Sequence, residues 1–304
     1  VGRILAPSWG RYVQLFLGSR TGTILEMQLT GMLAPVPTPF DRAGRLDVVR
    51  LRRTLALWLA RPLSGIVVLG TTGEASLLDD AESARVIAAA RDQVPIDRTF
   101  IVGTGRESTR SAIRAAKHAA RLGADAVLVR TPSVYKAQMT DDALEAHYLA
   151  VADASPVPVL LYNFPALTGV SLQSRVVVRL ARHENIVGIK DSSGDVLQIS
   201  DFAASTSARF SVLSGSASTF HTAVSMGATG GILALACVLP DLCVQLFTLA
   251  VAQQHAEARA LQQRILPMAK LIGTVYGVPG LKAAACLAGF DAGLPRLPLV
   301  PVDE

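Results

Sequence analysis

Residues 186–195 read IVGIKDSSGD: an apolar run, Ile186 to Ile189, that leads straight into a lysine, an aspartate and a Ser-Gly turn. The run shows no apolar/polar alternation, which is the pattern of a parallel strand covered on both faces. Seven further segments share that pattern: Leu33–Val36, Gly65–Leu69, Thr99–Val102, Ala126–Val129, Val157–Leu161, Phe210–Leu213 and Gly230–Ala234, with Val187–Ile189 sixth in chain order. Each of the first seven strands precedes a stretch with helical periodicity. In Ser108–Leu122, for example, Ile113, Ala116, Ala120 and Leu122 fall on or near one face. Regularly spaced strand–helix units of this number predict an α/β fold closed into a (β/α)8 TIM barrel rather than an open doubly wound sheet. After the eighth strand, Pro240–Ala252, Ala256–Leu271 and Leu281–Ala288 read as more helices than a barrel requires. The predicted organisation is therefore a poorly ordered extension over 1–30, a barrel over 31–235 and C-terminal helices over 236–304.

Composition agrees with a single barrel, a fold of roughly 250 residues. Of the 304 residues 50% are apolar, 17% charged and only 5% aromatic, and small and branched side chains suit helices packed closely on buried strands. No apolar run reaches the ~18 residues of a membrane-spanning helix. The formal charge is +5, but Arg3, Arg11 and Arg20 lie in the opening stretch and the other arginines are scattered among acids. A nucleic-acid partner is not expected from this pattern; an anionic small substrate fits it equally well. Cys237, Cys243 and Cys286 lack the paired spacing of a zinc site and predict reduced thiols in a cytoplasmic protein. The opening stretch has no apolar core followed by a small-residue cleavage site.

Barrel enzymes work at the C-terminal ends of their strands. The polar residues there are Thr71, Thr72 and Glu74 after the second strand, Tyr162 at the end of the fifth, Lys190 and Asp191 after the sixth, and Ser214–Ser216 after the seventh. A lysine at such a position is desolvated, which favours the neutral amine that attacks a ketone, a part arginine cannot play. The plainer alternative is a lysine that snorkels to solvent or pairs with Asp191. Tyr162 comes from the neighbouring strand, so its phenol can approach the same point and move protons if a second hydroxyl passes them on. Otherwise it is a buried ring with one hydrogen-bond partner. Gly70-Thr71-Thr72-Gly73-Glu74 supplies hydroxyls and, at a helix start, amide N–H groups suited to a carboxylate; alone it reads equally well as a helix cap. His118, His147, His183, His221 and His255 are isolated and read as surface or capping residues. Gly103-Thr104-Gly105 lacks the rest of a phosphate loop, so no nucleotide cofactor is expected. Asp191 with Asp195 would offer a metal two carboxylates, but an imine is itself an electron sink, and no metal is expected.

In GTTGE (70–74), YNFPALTG (162–169) and GIKDSSGD (188–195), in this order and each after its proper strand, the chain resembles the dihydrodipicolinate synthase and N-acetylneuraminate lyase family of class I pyruvate aldolases. The resemblance spans about Gly31 to Pro298. It implies a lyase that needs no metal or cofactor, with Lys190 as the Schiff-base lysine, Tyr162 as the proton-relaying phenol and Thr71 and Thr72 as relay and carboxylate-binding residues. It further implies Gly215 and Ile232 as backbone lining of the pyruvate pocket, and a homotetramer built from dimers.

Departures from the family pattern bear on the second substrate. The synthases carry an arginine directly before the closing Thr-Gly to grip an aldehyde's carboxylate; here that place holds Leu167, which argues against them. Neuraminate lyases carry an acidic pair after the seventh strand; here Ser214-Gly215-Ser216-Ala217-Ser218 has no acid. The segments 131–148, SPVPVLLYNFPALTG, NIVGIKDSSGD and GVPGLK (277–282) are most similar to 4-hydroxy-2-oxoglutarate aldolase. The expected reaction is therefore cleavage or formation of a 4-hydroxy-2-oxo acid. Condensation of pyruvate with aspartate semialdehyde is the enzymatic alternative, and a catalytically silent barrel that binds a 2-oxo acid is the non-enzyme one. The tyrosine that the family usually places two residues after Thr131-Pro132 is Val134; either Tyr135 next door substitutes for it, or the relay has only Thr71 and Tyr162.

Overall fold

A computed structural model describes residues 27–302. Its strands are β1 Gly31–Pro35, β2 Gly65–Val68, β3 Thr99–Gly103, β4 Ala126–Arg130, β5 Val159–Asn163, β6 Ile186–Asp191, β7 Ser211–Ser214 and β8 Gly230–Ile232. All pair in parallel in sequence order, and β8 closes on β1. The fold is the (β/α)8 barrel that the strand spacing predicts, with helices on its outside and more at its C-terminal end. Among the described residues no helix is long and apolar enough to cross a membrane.

The helices are α1 Val48–Leu59, α2 Asp80–Arg91, α3 Thr109–Arg121, α4 Asp141–Ala154, α5 Pro165–Thr168, α6 Ser174–Leu180, α7 Val196–Ser205, α8 Phe220–Ser225, α9 Pro240–Val251, α10 His255–Lys270 and α11 Gly277–Leu287. Many begin on a side chain that accepts an otherwise unpaired N–H. Asp47 caps α1, Ser108 caps α3, Thr140 caps α4, and Asp79 and Glu82 form a capping box on α2. On α3 the fully buried stripe is Ala112, Ala116 and Ala119; Ile113 and Ala120 flank it half-buried. The smallest side chains take the closest approach to the strands.

Alternate residues of each strand face two different cores. Outward residues such as Met32, Ile66, Phe100, Val127, Leu161 and Ile189 meet the helices. Inward residues Leu33, Val67, Ile101, Leu128, Leu160, Leu213 and Ile232 fill the barrel, and Tyr162 belongs to this column. Of the 1–30 extension expected to be poorly ordered, residues 1–26 lie outside the described residues. Leu29 is buried in the column, its N–H donating to Ser211 Oγ (2.8 Å) and its carbonyl accepting from Thr229 Oγ1 (3.0 Å).

Strand ends differ from the sequence reading where it matters most. β5 starts at Val159 rather than Val157, because Pro158 has no N–H to contribute and the ladder begins with Val159 donating to Asn185 O (2.8 Å). It then runs on through Tyr162 and Asn163, and β6 likewise extends through Lys190 and Asp191. β8 stops at Ile232, and 234–237 coil into a 3₁₀ turn. At the barrel seam Gly31 faces Gly230; a Cβ on Gly230 would stand 2.2 Å from the Gly31 carbonyl oxygen. The C-terminal helices are present as expected and pack against the barrel. α9 packs on β1 and α8, Phe290 stacks on Trp58 of α1 (ring centroids 5.4 Å apart), and Leu294 bridges to Phe40 just past β1.

Candidate active site

Because β5 carries Tyr162 near its end and β6 continues through Lys190, the two are direct register partners, both pointing inward. Lys190 is 5% exposed and its Nζ lies 4.3 Å from the centroid of the Tyr162 ring. The Tyr162 hydroxyl is 3.4 Å from Thr71 Oγ1, either atom able to donate. A desolvated amine, a phenol and a threonine hydroxyl are thus contiguous across three strand ends.

Thr71 is held by an unusual turn. Leu69 (φ 55°) and Glu74 (φ 54°) both adopt left-handed backbone without being glycine, and they bracket Gly70–Gly73. Such conformations cost about 1–3 kcal/mol each and persist only where the surroundings fix them. Glu74 N–H donates to Thr71 O (3.0 Å), and Thr38 Oγ1 donates to Gly73 O (2.7 Å). The expected helix start is only a three-residue 3₁₀ turn, Ala75–Leu77; α2 proper begins at Asp80. Thr72, 9% exposed, sits beside Thr71 in this turn. Glu74 does not face the mouth. Its carboxylate is buried in an ion pair with Lys282 of α11 and accepts from Arg296 N–H (2.8 Å). Removing either partner of such a buried pair costs about 3–5 kcal/mol.

Gly215 follows β7 and lies against the lysine: a Cβ there would meet Lys190 Cε at 3.0 Å and Ser192 Oγ at 2.0 Å. Its N–H donates to Asp191 O (2.6 Å). Asp191 accepts from Asn163 Nδ2 (2.6 Å), Ser193 N (3.2 Å) and the Ser193 hydroxyl, and burial raises its carboxyl above the ordinary range. It ties β5, β6 and β7 together behind the lysine, while Asp195 caps α7. Ile232 ends β8, fully buried in the inner column.

Other anticipated residues lie further out. Leu167 on α5 is 51% exposed, and Val134 and Tyr135 are 65% and 71% exposed on the loop after β4. That loop is anchored by Glu107, which accepts from the N–H groups of Ser133 and Val134. Lys136 runs along Gly169, with Nζ 3.2 Å from where a Cβ on that glycine would stand, two residues from Leu167. Arg106 instead lines a cavity of about 390 Å³ between α2 and α3. The histidines are less isolated than their spacing implies: His221 Nε2 meets His255 Nδ1 at 3.4 Å, and His183 Nε2 meets Asp153 at 3.0 Å. Among the described residues no three His, Cys, Asp or Glu side chains gather as a metal site would need. Lys282 was not anticipated as part of the site's support. Its signal is a lone cation within the apolar helical run GLKAAACLAG.

A parallel barrel carrying a buried amine and phenol at its mouth has the parts that a lyase of the class I aldolase type requires. The chain belongs to the dihydrodipicolinate synthetase family, whose pattern it matches over residues 28–304. It is 36% identical over 278 residues to the 4-hydroxy-tetrahydrodipicolinate synthase of Acidiphilium cryptum, covering 90% of this chain and 93% of that one. The synthase of Stenotrophomonas maltophilia is 37% identical over 276 residues, covering 91% and 92%. The crystal structure of the chloride-inhibited dihydrodipicolinate synthase from Acinetobacter baumannii complexed with pyruvate superposes with a TM-score of 0.86 at 34% identity, covering 90% of this chain and 94% of that one.

Proposed function

We propose that Lys190 forms an imine with pyruvate and that the derived enamine makes or breaks a carbon–carbon bond. The observation that carries this reading is the buried Lys190 amine lying over the Tyr162 ring, with Thr71 in reach of the phenol. The amine adds to the ketone carbon, and the carbinolamine loses water to leave an iminium. Loss of a methyl proton gives the enamine, whose carbon attacks an aldehyde. Tyr162 and Thr71 move the protons that each step requires, and Thr72, Gly215 and Ile232 bound the pyruvate.

For the second substrate, the relatives named above are synthases, which favours aspartate semialdehyde over the 4-hydroxy-2-oxoglutarate expected from the sequence segments. The carboxylate grip that Leu167 cannot provide falls to Lys136, beside Gly169. Cleavage of a 4-hydroxy-2-oxo acid stands as the second reading, favoured by the apolar, half-exposed Leu167. A homotetramer belongs to the same reading, with Val134 and Tyr135 covered by a neighbouring copy.

Incubation with pyruvate and borohydride is expected to leave one reduced pyruvate on Lys190, and Lys190→Arg to abolish it. An adduct on Lys136 or Lys282 would refute the imine assignment, and no adduct at all would leave only a 2-oxo-acid-binding barrel. Steady-state comparison on the unmodified protein separates the two enzymes: condensation with aspartate semialdehyde is expected at the higher kcat/KM.

A further inference from the structure

We propose that Lys282 and Glu74 are positioning residues for the Thr71–Tyr162 relay, a buried clasp through which the C-terminal helix holds the Thr-Thr turn at the barrel mouth. The proposal rests on the relay reading given above. Both side chains are 1% exposed; the Lys282 ammonium donates to Thr38 O (2.6 Å) and Leu294 O (2.7 Å) and is ion-paired with the Glu74 carboxylate. Buried ion pairs are often no more stabilising than apolar pairs of similar volume, so stability alone does not account for this one.

The geometry it fixes is that of the turn, gripped from both ends. On one side Lys282 pairs with Glu74, whose N–H holds Thr71 O at 3.0 Å. On the other side Lys282 takes the carbonyl of Thr38, whose hydroxyl holds Gly73 O at 2.7 Å. Leu69 and Glu74 remain in left-handed backbone under this double hold. The relay has little tolerance, because the Thr71–Tyr162 contact is already 3.4 Å long and a shift of a few tenths of an ångström breaks it.

The test compares Glu74→Gln and the neutral double variant Glu74→Gln/Lys282→Met with the unmodified protein, each also in a Thr71→Val background. In the folded clasp variants borohydride should still fix pyruvate on Lys190. Turnover should fall by about 10–100-fold, while KM for pyruvate moves by less than about threefold. With Thr71→Val already present, the same substitutions should cost under about threefold more. Unchanged kcat in a folded variant, or a loss that multiplies in full in the Thr71→Val background, overturns the proposal and leaves a purely structural pair. If the double variant does not fold, Glu74→Gln, which keeps shape and one acceptor, is judged on the same outcomes. A missing Lys190 adduct in the unmodified protein, or a silent Thr71→Val, overturns the relay reading itself and the clasp with it.

Discussion

Tyr162 on β5 and Lys190 on β6 are register partners, and the amine of one lies over the ring face of the other at 4.3 Å. Tyr162 therefore supplies two separable things: a ring face that lies under the lysine amine and a hydroxyl that reaches Thr71. Tyr162→Phe keeps the first and removes the second. Borohydride trapping should survive in that variant, while turnover falls by about 10²–10⁴. Combined with Thr71→Val the loss should be far smaller than the product of the two single losses. Fully multiplicative losses would mean that the hydroxyls act independently.

Gly215 should tolerate no side chain. Its Cβ would stand 2.0 Å from Ser192 Oγ and 3.0 Å from Lys190 Cε, so Gly215→Ala displaces the lysine stem or the Ser192 hydroxyl. Turnover is expected to drop by about tenfold or more, as for an atom moved by about an ångström at a reacting centre. Ser192→Gly in the same chain should recover part of the loss. An alanine variant with full activity would show that the lysine does not depend on this wall.

Substitutions at Lys136 and Leu167 test which of the two proposed reactions the site carries out. A desolvated carboxylate without a donor is costly, so Lys136→Met should lower kcat/KM for aspartate semialdehyde by about 10–100-fold, with little change for pyruvate trapping. Leu167→Arg should move the ratio of activities toward condensation. An unaffected condensation rate in Lys136→Met would remove this lysine from the site and revive the 4-hydroxy-2-oxo acid reading.

His147 is 6% exposed; its Nδ1 bonds Thr109 Oγ1 at 2.9 Å and its Nε2 is buried without a partner among the described residues. Burial holds its pKa below the ordinary value, partly offset by Glu107. With the folded value depressed, the unfolded chain binds the proton more readily. The contribution to stability is thus present above the ordinary pKa of about 6.5 and lost as pH falls toward the folded value. Between about pH 8 and about pH 5 the unmodified protein should lose more Tm than His147→Gln does. A smaller loss in the unmodified protein would contradict the sign.

The barrel was legible because parallel strands buried on both faces announce themselves as unalternating apolar runs, as in Ile186–Ile189, and because Lys190 stands at the end of one. Strand ends were less legible. Lys190 and Asp191 are polar, so the apolar run stops before them, whereas the hydrogen-bonded ladder, which depends on backbone alone, continues. Glu74 looked like a residue of the mouth by its place after β2, but its left-handed backbone aims it at Lys282, 208 positions away in the chain. No local pattern encodes a partner at that separation. The nearness of Lys136 to Gly169 was hidden for the same reason, since it arises between loops of neighbouring strands.

The seam where Gly31 meets Gly230 sets a timetable for the growing chain. The strands bearing Tyr162 and Lys190 leave the ribosome before β8 does, so the reactive half can pair while the ring is still open. Until Gly230–Ile232 is delivered, β1 and β7 both present bare edges, the surfaces on which unfinished sheets aggregate. Closure also joins residues some 200 positions apart, the kind of contact that slows folding most. At that last joint the chain leaves room for backbone alone, so the closing strand can pair only where no side chain stands between it and β1.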